Sequence, residues 1–364
     1  MAQTEIHFIS RRELATDPGW DRWQDPDAIA PISPIKRKAL LENPLARGED
    51  DPIQLVGTLD GRVIGRLDLV AGALDWNGEQ VPCDWGSALY VPEEFRNTLM
   101  GVKLILALQR LQPTVGASGV SRQVHPLYSN LRWLDFEFPR FVLLRRSRPI
   151  VERYVGRGVL GSSVRTIADA ALRTHGTLLS AWTRLRLREF EADEIPEATE
   201  AIASRLPFRD RAVVGHRSAA WMDWLLRSSF YEPPARRALF GVVGTDGQPA
   251  GYFLVRARTY EVVTEREFRN LHLGSLQDWA AFDPSLRFEH IALLAARELF
   301  KWNVDAVEIC VPPDQSSAAL ARLGFVHVGS MYMLVNVSAG SPLRHLAERE
   351  AWRLRPAEGD NFFS

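Results

Sequence analysis

Between Pro82 and Leu111 the chain reads as a strand, a tight turn and a helix in direct succession. Pro82 to Val91 is a β-rich run, and Thr98 to Leu111 carries Leu99, Val102, Leu106 and Leu111 at helical spacing. The connecting residues are Val91-Pro92-Glu93-Glu94-Phe95-Arg96-Asn97-Thr98-Leu99-Met100-Gly101. They bring several backbone N–H groups to a helix start, where the peptide dipoles also favour an anion. A pyrophosphate suits such a turn. The plainer reading is an ordinary helix start, which Glu93 and Glu94 near its N-terminus would favour equally.

Around this unit the pattern predicts a mixed sheet with helices on its faces. Gln54 to Thr58 and Val63 to Val70 flank Asp60-Gly61, and a second turn signal, Asn77-Gly78, lies within Gly72 to Val81. Thr114 to Val120 is short and β-like, Pro126 to Leu131 helical, and Phe141 to Leu144 a closing strand. The residues up to about Gly48 read as helical or irregular covering structure. An amphipathic stretch from Val164 to Leu187 connects to a second half. There Ile195 to Leu206 and Ala219 to Ser228 read as helices, and Leu239 to Val243 pairs with Gly251 to Arg258 across Thr245-Asp246-Gly247. Asn270 to Asp278, Leu286 to Phe300, Ala306 to Val311, Ser316 to Leu323 and Val326 to Val337 repeat the strand and helix order of the first half.

A second motif follows the turn: Pro126-Leu127-Tyr128-Ser129-Asn130-Leu131-Arg132-Trp133. Taken together, the two resemble the acyl-CoA site of the GNAT superfamily of acyltransferases. The GNAT phosphate pattern is Gln or Arg, two residues, Gly, one residue, then Gly or Ala. Arg96 and Gly101 hold its outer positions, and Leu99 replaces the middle glycine. Leu127-Tyr128 ending in Trp133 resembles the Leu-Tyr ending in Gly-Phe, with Arg132 in place of the glycine. The resemblance implies an α/β chain of two GNAT-like domains in tandem, each a mostly antiparallel twisted sheet flanked by helices. The expected boundaries are 1–150 for the acyl-CoA-binding domain, 151–188 for the connecting helix, 189–340 for a second domain and 341–364 for a tail.

The same resemblance implies the chemistry. Acetyl-CoA, or another acyl-CoA, is the co-substrate and a small-molecule amine the acceptor. Arg96, Asn97, Thr98, Leu99, Met100, Gly101 and Val102 form the pyrophosphate turn, and the backbone of Leu89, Tyr90 and Val91 pairs with the pantetheine arm. Tyr128, protonated at neutral pH, donates to the departing thiolate. Two residues compete as base: Asp84 in a strand beside the thioester, where a carboxylate often serves directly or through water in GNAT relatives and which is narrowly favoured, and His125, whose imidazole matches the task better in intrinsic pKa. A non-catalytic acyl-CoA sensor, or an enzyme using a longer acyl-CoA or a carrier-protein thioester, fits the same motifs.

The second half lacks both features. Phe282-Asp283-Pro284-Ser285-Leu286-Arg287-Phe288 has no glycine where the phosphate turn belongs, and Pro284 has no N–H. Leu320, in Leu320-Ala321-Arg322-Leu323-Gly324-Phe325, falls on the tyrosine position. No metal is expected, because His272, Asp278, His290 and Glu308 lack ligand spacing. Cys83 and Cys310 stand far apart, so neither disulfide nor zinc site is expected. With 44 basic against 45 acidic residues, the formal net charge of -1 argues against a nucleic-acid partner. No apolar run is long enough to cross a bilayer, and the N-terminal sequence has no secretory pattern, so the expected location is the cytoplasm. The arginines at 140, 145, 146, 148, 153 and 157 read as a solvated strand edge and linker.

Overall fold

The computed structural model describes residues 3–16, 32–148, 151, 152, 155, 158–198, 212–260, 271–346 and 351–359. The chain divides into two compact units. Unit 1 is Met1–Glu137, Phe208–Glu232 and Met331–Ser364; unit 2 is Phe138–Pro207 and Pro233–Ser330.

Strand β1 (Thr4–Ser10) opens the chain, followed by α1 (Arg11–Thr16) and α2 (Pro34–Leu41). A strand here departs from the expected covering structure. Glu5-Ile6-His7-Phe8 alternates polar and apolar residues at the period of a strand, and antiparallel pairing with the distant β2 (Pro52–Leu59) holds β1. Ser33 caps α2, its hydroxyl accepting from the Lys36 amide at 3.3 Å, with Pro34 in the first helical turn. β3 (Arg62–Val70) returns from β2 through Asp60 and Gly61, both at positive φ as a two-residue hairpin turn requires. β4 (Ala73–Trp76) and β5 (Glu79–Pro82) repeat the device at Asn77 and Gly78. Then come β6 (Asp84–Tyr90), a 3₁₀ helix over Glu93–Thr98, α3 (Met100–Leu111), β7 (Thr114–Ala117), α4 (His125–Asn130) and β8 (Leu134–Leu144). The strand expected from Phe141 thus begins seven residues earlier, at Leu134.

The chain continues through α5 (Val159–Arg186), β9 (Phe190–Ile195), β10 (Val213–Gly215), α6 (Ala219–Arg227), β11 (Arg236–Gly244), β12 (Pro249–Tyr260), β13 (Leu271–Ala281), α7 (Phe288–Lys301), β14 (Ala306–Cys310), α8 (Ala318–Arg322), β15 (Val326–Val337) and β16 (Trp352–Arg353). Ile195 ends β9, and most of the helix expected over Ile195 to Leu206 lies outside the described residues. No helix among the described residues is long and apolar enough to cross a membrane.

Each unit holds a six-stranded arrangement of one pattern. In unit 1 the order is β1-β2-β3-β6-β7-β15, and in unit 2 it is β9-β11-β12-β13-β14-β8. All neighbours are antiparallel except the fourth and fifth strands, β6 with β7 and β13 with β14, which run parallel. The sixth strand is not the next in sequence. β8 leaves unit 1 after Glu137 and pairs through Arg140–Leu144 with β14; β15 leaves unit 2 after Ser330 and pairs through Leu334–Val337 with β7. A smaller sheet in unit 1, ordered β16-β10-β4-β5, packs the C-terminal segment back, with Trp352, Leu354 and Ala357 buried.

In both units a helix follows the fourth strand and lies against the sheet. α3 approaches closely because small residues lie beneath it. A Cβ on Gly65 would meet Met100 Cγ at 2.7 Å, one on Gly86 would meet Leu108 Cδ2 at 2.9 Å, and one on Gly57 would overlap the Met100 sulfur. Met100, Leu104 and Leu108, one turn apart, are fully buried along that face. The start of α3 is thereby held beside the end of β6. In unit 2, Gly274 gives the same room to Leu299 of α7.

Candidate functional site

In unit 1 the parallel pairing of β6 with β7 covers only Asp84–Gly86 against Val115–Ala117. Beyond Gly86, β6 loses its neighbour on that side. It also bulges: Asp68 and Arg66 of β3 pair with Ser87 and Tyr90, and Ala88 between them has a φ of 49°. The exposed end of β6, Ala88 to Tyr90, therefore has a free backbone edge on the β7 side. Two of the residues expected to pair with a pantetheine arm, Leu89 and Tyr90, lie on it, and Val91 follows directly.

Arg96, Asn97 and Thr98 fall in the 3₁₀ helix, and Leu99, Met100, Gly101 and Val102 form the joint into α3. Leu99 is left-handed, with φ 60° and ψ 18°, and is 64% exposed. Its carbonyl accepts from the Lys103 amide at 3.0 Å, the first helical bond of α3. No side chain caps the helix, so the amides of Met100, Gly101 and Val102 have no acceptor among the described residues. A left-handed leucine costs about 1–2 kcal/mol, which the greater chain entropy of glycine partly offsets. Leu99→Gly should accordingly raise stability by up to about 1 kcal/mol, measured by denaturant unfolding. A loss of stability would show that the Leu99 side chain contributes packing its exposure does not reveal.

α4 ends on the same conformation. Arg132 has a φ of 60°, and the Trp133 amide donates back to the Tyr128 carbonyl at 3.3 Å, closing a left-handed helix cap. Both glycines that the GNAT patterns call for are thus replaced by residues that keep the left-handed backbone. Tyr128 is 2% exposed, with its ring edge-on to Trp133 at 4.8 Å. The Trp133 indole N–H is buried and donates to nothing among the described residues.

The two candidate bases sit in different surroundings. Asp84 is 1% exposed, and its Oδ2 accepts from Arg47 Nη2 at 2.9 Å. Burial raises its pKa, and the Arg47 guanidinium opposes the rise. His125 lies one turn before Tyr128 on α4. Its Nε2 is 2.7 Å from Asp135 Oδ2, and its ring stands 4.4 Å from that of Tyr332. Nδ1 has no hydrogen-bond partner among the described residues. The structure therefore brings His125 and Tyr128 onto one short helix and pairs Asp84 separately with Arg47. Asp135 was not legible as part of the site, because a strand residue ten positions beyond a histidine carries no spacing signal. A buried polar row, Gln54, Asp68 and Ser87, also crosses the sheet to the bulge, with Lys36 Nζ 2.5 Å from Asp68 Oδ2.

Comparison with known proteins addresses the fold. No protein-family model matches the chain, and no curated protein sequence matches it. Among solved structures, Saccharomyces cerevisiae N-myristoyltransferase with bound myristoyl-CoA superposes over 94% of this chain and 84% of its own, with a TM-score of 0.56 at 11% identity. A GCN5-related N-acetyltransferase from Anabaena variabilis matches over 92% and 73%, with a TM-score of 0.52 at 12% identity. A probable N-acyltransferase from Enterococcus faecalis matches over 92% and 72%, with a TM-score of 0.51 at 11% identity. The chain has the GNAT fold.

In unit 2 the turn between β13 and α7 is bonded differently from that between β6 and α3. The amides of Phe282 and Asp283 both donate to the Ala250 carbonyl, and that of Leu286 to the Asp283 carbonyl. Asp283 Oδ1 takes the Ser285 amide at 2.8 Å, and His290 Nδ1 takes that of Arg287 at 3.3 Å. The turn before α7 thus engages its own donors, while the amides of Phe288 and Glu289 that open α7 have no acceptor among the described residues, as at the start of α3. Leu320 occupies the place of Tyr128: the Phe325 amide bonds the Leu320 carbonyl at 3.1 Å across Gly324 at φ 85°, the cap seen at Arg132.

Other side chains singled out by sequence have structural partners. Arg140 pairs with Glu308, Arg146 with Asp305 at 3.2 Å and Arg148 with Glu152 at 2.9 Å, while Arg153 and Arg157 lie outside the described residues. Cys83 and Cys310 are both buried, and burial pushes both thiols up. No three His, Cys, Asp or Glu side chains among the described residues are placed to hold a metal ion.

Proposed function

We propose that this chain is an acyl-CoA-dependent N-acyltransferase, moving an acetyl group to the amine of a small molecule by direct attack in a ternary complex. The observation that carries the reading is the set of unbonded amides of Met100, Gly101 and Val102, opening a twelve-residue helix beside the free edge of β6. Those donors and the helix dipole suit a pyrophosphate, and the strand edge suits the amides of a pantetheine arm. Gly101 leaves room for the close approach of such a group.

In the reaction, the neutral amine attacks the thioester carbonyl carbon. The C–S bond breaks, the amine loses a proton to a base, and Tyr128 donates its hydroxyl proton to the CoA thiolate. We assign the base to His125. What supports it over Asp84 is an imidazole with one nitrogen on a carboxylate and the other unoccupied, whereas Asp84 is enclosed under Arg47. His125→Gln should lower turnover by about 10²-fold or more while Asp84→Asn keeps most of it; the reverse ranking in steady-state assays would return the role to Asp84.

Calorimetric titration with acetyl-CoA, CoA, myristoyl-CoA and a pantetheine thioester lacking the nucleotide tests the reading as a whole. Binding of one equivalent that depends on the nucleotide, followed by turnover on an amine panel, supports it. Saturable binding without turnover would favour a sensor. Tighter binding of myristoyl-CoA would replace acetyl by a long acyl group. No binding by any of the four would remove the α3 turn from consideration.

A further inference from the structure

Helix α5 runs for 28 residues and is held to unit 2 along one side. Asp169 accepts from the amide and the hydroxyl of Ser147, both at 2.7 Å, Leu179 packs against the unit 2 core, and Thr183 is buried. A different side is apolar and open. Leu160 is 71% exposed, and Ile167 and Leu185 are each 73% exposed, the highest values for a large apolar side chain among the described residues. Scattered singly, such side chains need no partner; these three fall on one line along the helix.

That line has a period. Leu160, Val164, Ile167, Ala171, Thr174, Leu178, Ala181 and Leu185 follow one another in alternating steps of four and three residues over the length of α5. Steps that average about 3.5 residues keep a narrow stripe facing a second helix, whereas a helix laid on its own domain shows a broader stripe at about 3.6. Thr174 is the one polar member and none is charged, since Arg165, Asp169 and Arg173 stand off the line. Ala171, Thr174 and Ala181 are exposed like the larger members, and Val164 is half-buried.

We propose that this stripe is the interface for a second copy of the chain, the two α5 helices pairing antiparallel about a two-fold axis. What selects a second copy is that the stripe is complementary to itself. An axis crossing it midway between Ala171 and Thr174 sets the position of Leu160 opposite Leu185 of the second copy, Val164 opposite Ala181, Ile167 opposite Leu178 and Ala171 opposite Thr174. Large residues then meet at both ends. Small ones meet at the centre, where two crossing helices approach most closely. No pair opposes like charges. The surface belongs to unit 2 and does not depend on the acyltransfer reading.

Sedimentation equilibrium of the full chain over a range of concentrations is the test. A monomer–dimer equilibrium is expected, and Ile167→Glu should weaken it by about 10²-fold or more, because each dimer would then bury two carboxylates. In the monomer the position is open to water, so the fold should tolerate the change; should it fail to, Leu160→Glu serves in its place. Cysteine cross-linking reads the direction of pairing, since the native Cys83 and Cys310 are buried. Leu160→Cys mixed with Leu185→Cys under a mild oxidant should give a linked pair, and neither variant should link with itself. Self-linking of either would overturn the antiparallel arrangement. A monomer at every concentration would show that the chain's own residues or another molecule cover the stripe, and a dimer unchanged by the glutamate variant would place the interface elsewhere; either result overturns the proposal.

Discussion

Replacing Tyr128 with phenylalanine should lower kcat by about 10²-fold or more while leaving acetyl-CoA affinity within about threefold, since a positioned general acid contributes about 10²–10⁴ in rate. The separation rests on geometry. The ring packs edge-on against Trp133 at 4.8 Å and is 2% exposed, and phenylalanine preserves both the ring and its burial. Only the hydroxyl is lost. If the hydroxyl protonates the leaving thiolate, its removal acts on the bond-breaking step and not on the phosphate contacts, which would be made by backbone amides of α3. Steady-state kinetics with a measured Kd separates the two effects. Equal turnover in the two proteins would remove Tyr128 from the mechanism, and a parallel loss of affinity would make it a binding residue.

Gly101→Asp should abolish acetyl-CoA binding and leave the fold intact or slightly more stable. A Cβ at Gly101 meets nothing closer than Val91 Cγ2 at 3.9 Å, so the new side chain has room. A carboxylate in the first turn of α3 also interacts favourably with the helix dipole, by about 0.3–1 kcal/mol, and replaces a poor helix former. The same carboxylate would compete with a pyrophosphate for the amides of Met100, Gly101 and Val102 and repel it. Two or three charge-assisted hydrogen bonds at about 1.5–3 kcal/mol each predict a loss of more than about 10²-fold in affinity. Opposite signs for folding and binding make the result diagnostic. Calorimetry beside thermal unfolding reads both, and unchanged titration would place the cofactor elsewhere.

Strand, turn and helix around residues 82–111 were legible from sequence, because apolar periodicity and turn chemistry are local properties. The fit of the turn was less so. Leu99 and Arg132 replace glycines, and side-chain identity alone predicts a departure from the left-handed backbone. Neighbouring contacts instead hold both at φ 60°. At Leu99 the close seating of Met100 and Leu104 over Gly57 and Gly65 fixes where α3 begins; at Arg132 the Trp133 to Tyr128 bond closes the helix. Likewise, nothing in the spacing of His125 and Asp135 announces a pair. The turn after α4 sets β8 on a course that brings the carboxylate 2.7 Å from the imidazole.

By itself the sequence determined much of the succession of elements, though not the strands β1 and β9, together with the two halves of like order and their unequal motifs. Leu320 in place of a tyrosine and Pro284 without an N–H are matters of covalent structure. Tertiary structure alone decided which strands complete which sheet. β8 and β15 each carry the run of apolar residues that a closing strand needs, and either pattern would suit either sheet. Long-range register chooses between them: β15 pairs Leu334 with Ala117 in unit 1, and β8 pairs Phe141 with Ile309 in unit 2. Such pairings depend on the shape and hydrogen-bonding edge of a partner remote in sequence, which no local periodicity encodes.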